Sequence, residues 1–82
     1  MPVILRIRGC RFWFYQADLA EPVPIHVGKA GSEAKFWMNP ITLAKNSRFR
    51  DHELREIVPT LADHQAEILQ AWQQEQERRD NR

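Results

Sequence analysis

The sequence predicts an α+β fold of two layers: an antiparallel sheet of four to five strands, built from two N-terminal hairpins, packed against a long C-terminal helix. Three observations predict it. Residues 3–15 and 24–38 alternate apolar and polar side chains with a period of two, and short glycine-containing turns divide each stretch. From Leu54 to Trp72 the apolar residues instead recur every three or four positions, the stripe of an amphipathic helix. Neither a small sheet nor one helix can bury its apolar face alone, so the helix must cross the sheet.

The first hairpin runs from Val3 to Gln16. Gly9-Cys10 reads as a two-residue turn with glycine first, which sets Arg8 opposite Arg11, Ile7 opposite Phe12, Arg6 opposite Trp13 and Leu5 opposite Phe14. In that register Val3, Leu5, Ile7, Phe12 and Phe14 share one face, and Arg6, Arg8, Arg11, Trp13 and Tyr15 share the other. Residues 17–23 hold a proline and two acids without periodicity and form the connecting loop. Pro24 opens the second pair. Ile25 and Val27 alternate with His26 and Gly28, Ala30-Gly31-Ser32 turns the chain, and Ala34, Phe36 and Met38 alternate with Glu33, Lys35 and Trp37. Asn39-Pro40 ends that strand. Ile41 to Leu43 is either a short fifth strand or an irregular connection ahead of a Lys45-Asn46-Ser47 loop.

Asp51 reads as the N-cap of the helix, whose stripe is Leu54, Ile57, Val58, Leu61, Ile68, Leu69 and Trp72. Pro59 interrupts it, because an interior proline removes a hydrogen bond and costs about 3 kcal/mol. The stripe nevertheless keeps phase across Pro59, which predicts either a kink or a short helix running directly into a longer one, with Thr60 near the junction. The sheet-forming part is then 1–45, the helical part 51–78 and the frayed tail 79–82, in a single domain of 82 residues.

A chain this short buries roughly 60–65% of its unfolded surface, so a surface groove or edge is expected rather than a deep cofactor pocket, and no cofactor is implied. The longest apolar run, Val3-Ile4-Leu5, is far below a membrane span, and Met1-Pro2 leads into strand-like sequence without a signal pattern. A cytoplasmic protein is expected. The lone Cys10 makes no internal disulfide, and no Cys or His spacing suits a metal. The formal net charge of +1 conceals a polarity. Residues 1–50 carry eight Lys and Arg against three acids, and residues 51–82 carry four against eight. A basic sheet therefore faces away from an acidic helix surface.

The outer sheet face collects Arg6, Arg8, Arg11, Trp13, Tyr15, His26, Lys35 and Trp37. Arginines among aromatic rings suit single-stranded nucleic acid, since guanidinium groups pair with phosphates and rings stack on bases. The same composition suits a contact surface for a partner protein or a second copy, with Arg6 lying over Trp13 as a cross-strand cation–π pair. His26 is the one candidate general acid or base, beside Lys35 and Trp37; its ordinary alternative is an exposed strand histidine. His52 reads as a solvated first-turn residue, His64 as a satisfied residue at the margin of the helix stripe, and Cys10 as a turn residue.

An ordered set of segments carries a resemblance over residues 1 to about 72. These are Met1-Pro2-Val3-Ile4, Arg11-Phe12-Trp13-Phe14-Tyr15, Glu21-Pro22 before Ile25-His26-Val27, Glu33-Ala34-Lys35-Phe36-Trp37, Glu53-Leu54-Arg55-Glu56-Ile57, and the closing His64 with Leu69 to Trp72. Together they resemble the short bacterial proteins grouped as domain of unknown function 4160. The resemblance implies a prokaryotic cytoplasmic protein encoded beside a second small protein, in an arrangement like a toxin–antitoxin pair, and implies no established activity. Members of that group carry Pro-Pro-His-x-His-Val; here Pro22-Val23-Pro24-Ile25-His26-Val27 keeps the second histidine and replaces the first with Pro24. Two functions follow as expectations. One is a binding component of a two-gene system, contacting the adjacent-gene protein or RNA through the basic aromatic face; the other is a small ribonuclease-like hydrolase using His26. An inactive homo-oligomer is the structural alternative.

Overall fold

Five strands follow one another as an antiparallel meander in the order β1-β2-β3-β4-β5, and two helices then cover one face. The structure is a computed structural model and describes residues 3–15 and 23–80. The strands are β1 (Leu5–Ile7), β2 (Cys10–Trp13), β3 (Pro24–Lys29), β4 (Ser32–Met38) and β5 (Ile41–Ser47); the helices are α1 (Asp51–Asp63) and α2 (Gln65–Asp80). This is the α+β architecture that the two periodicities predict. Most of the connecting loop 17–23 and the last two residues of the expected tail lie outside the described residues; residues 79 and 80 belong to α2.

The first hairpin turns one residue earlier than expected. Leu5 pairs with Phe12, Arg6 with Arg11 and Ile7 with Cys10, so the turn is Arg8-Gly9, at φ 52° and 81°. Positive φ at both central residues is the turn whose twist matches the flanking strands. The earlier turn displaces each partner by two residues, which leaves Leu5, Ile7, Phe12 and Phe14 on their expected face; Val3, expected with them, instead borders the outer face beside Arg11, Trp13 and Tyr15, and Ile4 packs against the core. The shift also moves Arg8 off the sheet face into the turn and makes Cys10 a strand residue. Arg6 opposes Arg11, so the expected Arg6–Trp13 pair is replaced by Trp13 opposite His26.

β3 is the centre of the sheet, and Pro24 to Gly28 are all buried, on both faces. The β3–β4 turn is Ala30-Gly31 alone, with Ser32 already in β4. β5 does not stop at Leu43. It continues through Lys45-Asn46-Ser47, past an irregularity between Lys35 and Phe36 of β4, and carries the sheet to Ser47 rather than residue 45. As an edge strand with mostly exposed side chains, it shows the polarity of a loop. The Asn46 side chain then exchanges two hydrogen bonds with the Phe49 backbone, at 3.0 and 3.2 Å, and turns the chain toward α1.

The core joins Phe12, Phe14, Ile25, Val27, Ala34, Phe36 and Met38 of the sheet side to Ile57, Leu61, Ile68 and Trp72 of the helices, with Phe49 buried at the connection. Each fully buried large side chain of this kind contributes about 1.5–3 kcal/mol. Trp72 meets Phe14 edge to face with ring centroids 5.3 Å apart.

The helical segment divides at His64 rather than near Pro59. Pro59 lies within α1 on its exposed side, where its ring meets solvent. At His64 the backbone leaves the helical region (φ −113°, ψ 17°), its N–H donates to the Thr60 carbonyl and its ring Nδ1 lies 3.0 Å from the same oxygen. Gln65 Nε2 then donates to the Met38 carbonyl at 2.9 Å, tying the start of α2 to the end of β4. His64 is thus the half-buried, satisfied residue expected of it, and His52 is exposed. Two expectations change. Val58, 39% exposed, lies off the buried stripe, and Arg50 rather than Asp51 caps α1, its N–H donating to Glu53 Oε1 at 3.0 Å. No helix of the structure is long and apolar enough to cross a membrane.

Candidate functional site

The face of the sheet turned away from the helices is organised in transverse rows, because antiparallel partners point the same way. One row places Arg6 beside Arg11, then Gly28, Glu33 and Ser47. The next places Trp13 beside His26, then Lys35 and Lys45. Trp37 stands opposite Pro24 on one side and Thr42 on the other. All the predicted site residues except Arg8 are thereby brought to one face.

An aromatic cluster occupies its middle. Trp13 stacks beside His26 with centroids 5.8 Å apart at 22°, and Tyr15 stands edge-on to both rings, at 4.5 Å from His26 and 5.9 Å from Trp13. His26 is consequently only 7% exposed, not the open strand histidine expected. Gly28 makes the packing fit: a Cβ there would stand 2.9 Å from two carbons of the Trp13 ring. Glu33 closes the cluster. Its Oε2 lies 3.8 Å from His26 Nδ1 and accepts a long hydrogen bond of 3.5 Å from the Tyr15 hydroxyl. Tyr15 remains 44% exposed, so the rim of the cluster is open to solvent.

Cations surround these rings. Lys35 turns its Nζ over the Trp37 ring, 4.8 Å from the centroid. Arg6, Arg11 and Lys45 are exposed, and none of them lies in ion-pair reach of a carboxylate among the described residues. Two directly opposed pairs, Arg6 with Arg11 and Lys35 with Lys45, carry like charge. Such pairs destabilise a sheet.

Sequence reasoning missed three members of this site. Lys45 was hidden by the loop-like polarity of β5. Glu33 and Gly28 have the right alternation, but nothing in their spacing announces that one would reach His26 and the other would receive Trp13. Cys10 sits on the opposite face, half-buried at a small pocket between the first hairpin and α1. Burial pushes its thiol up, against the lowering effect of Lys29 and with Glu53 and Glu56 adding to the rise.

Residues 9–73 match the family model described as Domain of unknown function (DUF4160). The chain belongs to this family. Neither a curated protein nor a solved structure matches it. The match begins at the first turn and ends just after Trp72, so it takes in the aromatic cluster, three of the four surrounding cations (Arg11, Lys35 and Lys45, with Arg6 ahead of it) and both helix stripes of this DUF4160 chain.

Proposed function

We propose that this DUF4160 chain is the binding component of a two-gene, toxin–antitoxin-like system and takes single-stranded RNA on its outer sheet face. The observation that carries the reading is the like-charge opposition of Arg6 with Arg11, joined by the exposed Lys45, beside an open-rimmed aromatic cluster. Repulsion of this kind is relieved by an anionic partner, and phosphates combined with stacking bases supply both the charge and the flat apolar surface. The two-gene setting and a cytoplasmic location come from the family resemblance, which also makes the adjacent-gene protein a partner.

Anisotropy titration with single-stranded RNA at two salt concentrations tests the reading. Binding that weakens with salt and is reduced by Arg6→Ala with Arg11→Ala is expected. Absence of binding at low salt removes RNA as the ligand; co-purification of the adjacent-gene protein, lost with the same substitutions, would transfer the face to that protein.

A second reading, a small ribonuclease using His26, has one specific observation in its favour. Glu33 stands where a carboxylate could orient the imidazole. The cover of Trp13 and Tyr15 favours binding over catalysis, since a general base must reach the proton it takes. RNA cleavage by the wild type that vanishes in His26→Ala would reverse that preference.

A further inference from the structure

Lys29, Arg48, Arg50 and His52 come from three places in the chain: the end of β3, the β5–α1 connection and the first turn of α1. They line one shallow concavity with Ala30 and Ser32. Its position is set by the meander, which delivers both hairpin turns, the end of β5 and the start of α1 to the same end of the sheet. Phe49 is buried, so its neighbours Arg48 and Arg50 both project into solvent. The stem of Lys29 passes against the first turn, its Cε 3.6 Å from where a Gly9 Cβ would be. Glu53 also borders the concavity, but its Oε1 accepts the Arg50 N–H in the cap of α1. Among the described residues no carboxylate lies in ion-pair reach of Lys29, Arg48 or Arg50.

Arg48 adds a second indication. It holds φ 76°, a region that favours glycine, and its side chain makes no hydrogen bond or ion pair with a described residue. Lys29 and Ser32 alternate onto the helix side of the sheet, so the concavity lies around the end of the sheet from the outer face. The groove holding Lys35, Lys45 and Ser47 adjoins it across the step from Ser47 to Arg48 and the turn at Ala30-Gly31. From Lys45 to Arg48 is about 10 Å at the rise of an extended strand.

We propose that this end of the sheet is a phosphate-binding site, in which Lys29, Arg48 and Arg50 hold the phosphodiester backbone of an RNA strand whose bases meet the aromatic face. The occupant rests on the RNA reading above; the phosphate chemistry rests on the cluster alone. Guanidinium forks from Arg48 and Arg50 suit phosphate oxygens, with Lys29 as a point charge and Ser32 as a neutral donor.

The test uses Arg48→Gly with Arg50→Gln in the full chain. Glycine suits φ 76°, so thermal stability is expected to hold or rise, and lost binding then cannot be ascribed to lost fold. Against a single-stranded RNA at two salt concentrations, the variant is expected to bind about tenfold more weakly, with a salt slope lower by about 1 to 1.5, as two lost phosphate contacts require. Wild-type binding with affinity and slope unchanged in the variant overturns the site and leaves the RNA reading standing. In a parallel arm, pyrophosphate is titrated into the wild type and amide shifts are followed by NMR. Shifts gathered at residues 29–32 and 48–52, absent in the variant, support the site even where the RNA reading fails; no shifts there and no RNA effect of the variant remove it.

Discussion

Trp13 lies on Gly28 so closely that a Cβ on the glycine would come within 2.9 Å of the indole ring. Glycine in the middle of a strand is ordinarily a weakness of about 0.5–1 kcal/mol relative to alanine. Here it makes room for the ring that stacks beside His26 and supports Tyr15.

Gly28→Ala should therefore destabilise the protein by about 1–3 kcal/mol, as overpacking does, and alter the near-ultraviolet signal of the tryptophan. In a Trp13→Ala background the same substitution should be neutral or favourable. Urea unfolding of the four variants of this cycle measures it; equal effects in both backgrounds would show that the ring is not what occupies the space.

Opposed lysines on a sheet predict a trade between stability and binding. Lys45→Glu places a carboxylate opposite Lys35 and should raise stability by about 0.2–1 kcal/mol at low salt, with the gain shrinking at high salt. RNA affinity should fall in the same variant. A loss of stability at low salt would mean the Lys35–Lys45 opposition is not repulsive in the fold.

The buried and exposed sides of α1 predict opposite results for two residues of the apparent helix stripe. Leu61→Ala should cost about 2–5 kcal/mol, because Leu61 is fully buried. Val58→Ala should stay within about 0.5 kcal/mol. Comparable losses at the two positions in denaturant titrations would place Val58 in the core.

Cys10 titrates above its ordinary value of 9.0 because burial disfavours the thiolate. The neutral thiol is the form the fold prefers, so its contribution to stability is complete below the unfolded value and is lost as pH climbs through the higher folded one. Wild type should lose more stability than Cys10→Ala on going above pH 9.0, and its thiol should be alkylated more slowly than a free cysteine. Alkylation at the free rate in the folded protein would contradict a half-buried thiol.

Much of this molecule was legible in side-chain period alone. Alternation placed Phe12, Phe14, Ile25, Val27, Ala34, Phe36 and Met38 on the buried face and Arg6, Arg11, Trp13, His26, Lys35 and Trp37 on the other, because strand geometry sends successive residues to opposite sides whatever their partners are. The three-and-four spacing of Ile57, Leu61, Ile68 and Trp72 marked the helical layer for the same kind of local reason. Period says nothing about which residue faces which. A turn at Arg8-Gly9 and one at Gly9-Cys10 leave identical faces, and only pairing distinguishes Arg6 opposite Arg11 from Arg6 opposite Trp13. The helix break at His64 depended on Gln65 reaching Met38 from 27 residues away, and the burial of His26 on two rings and a carboxylate from separate stretches of chain. Faces and element types are short-range consequences of backbone geometry and belong to the sequence. Register, the helix junction and the cover over His26 are energies of contact between distant residues, and they exist only once the sheet and helices have come together.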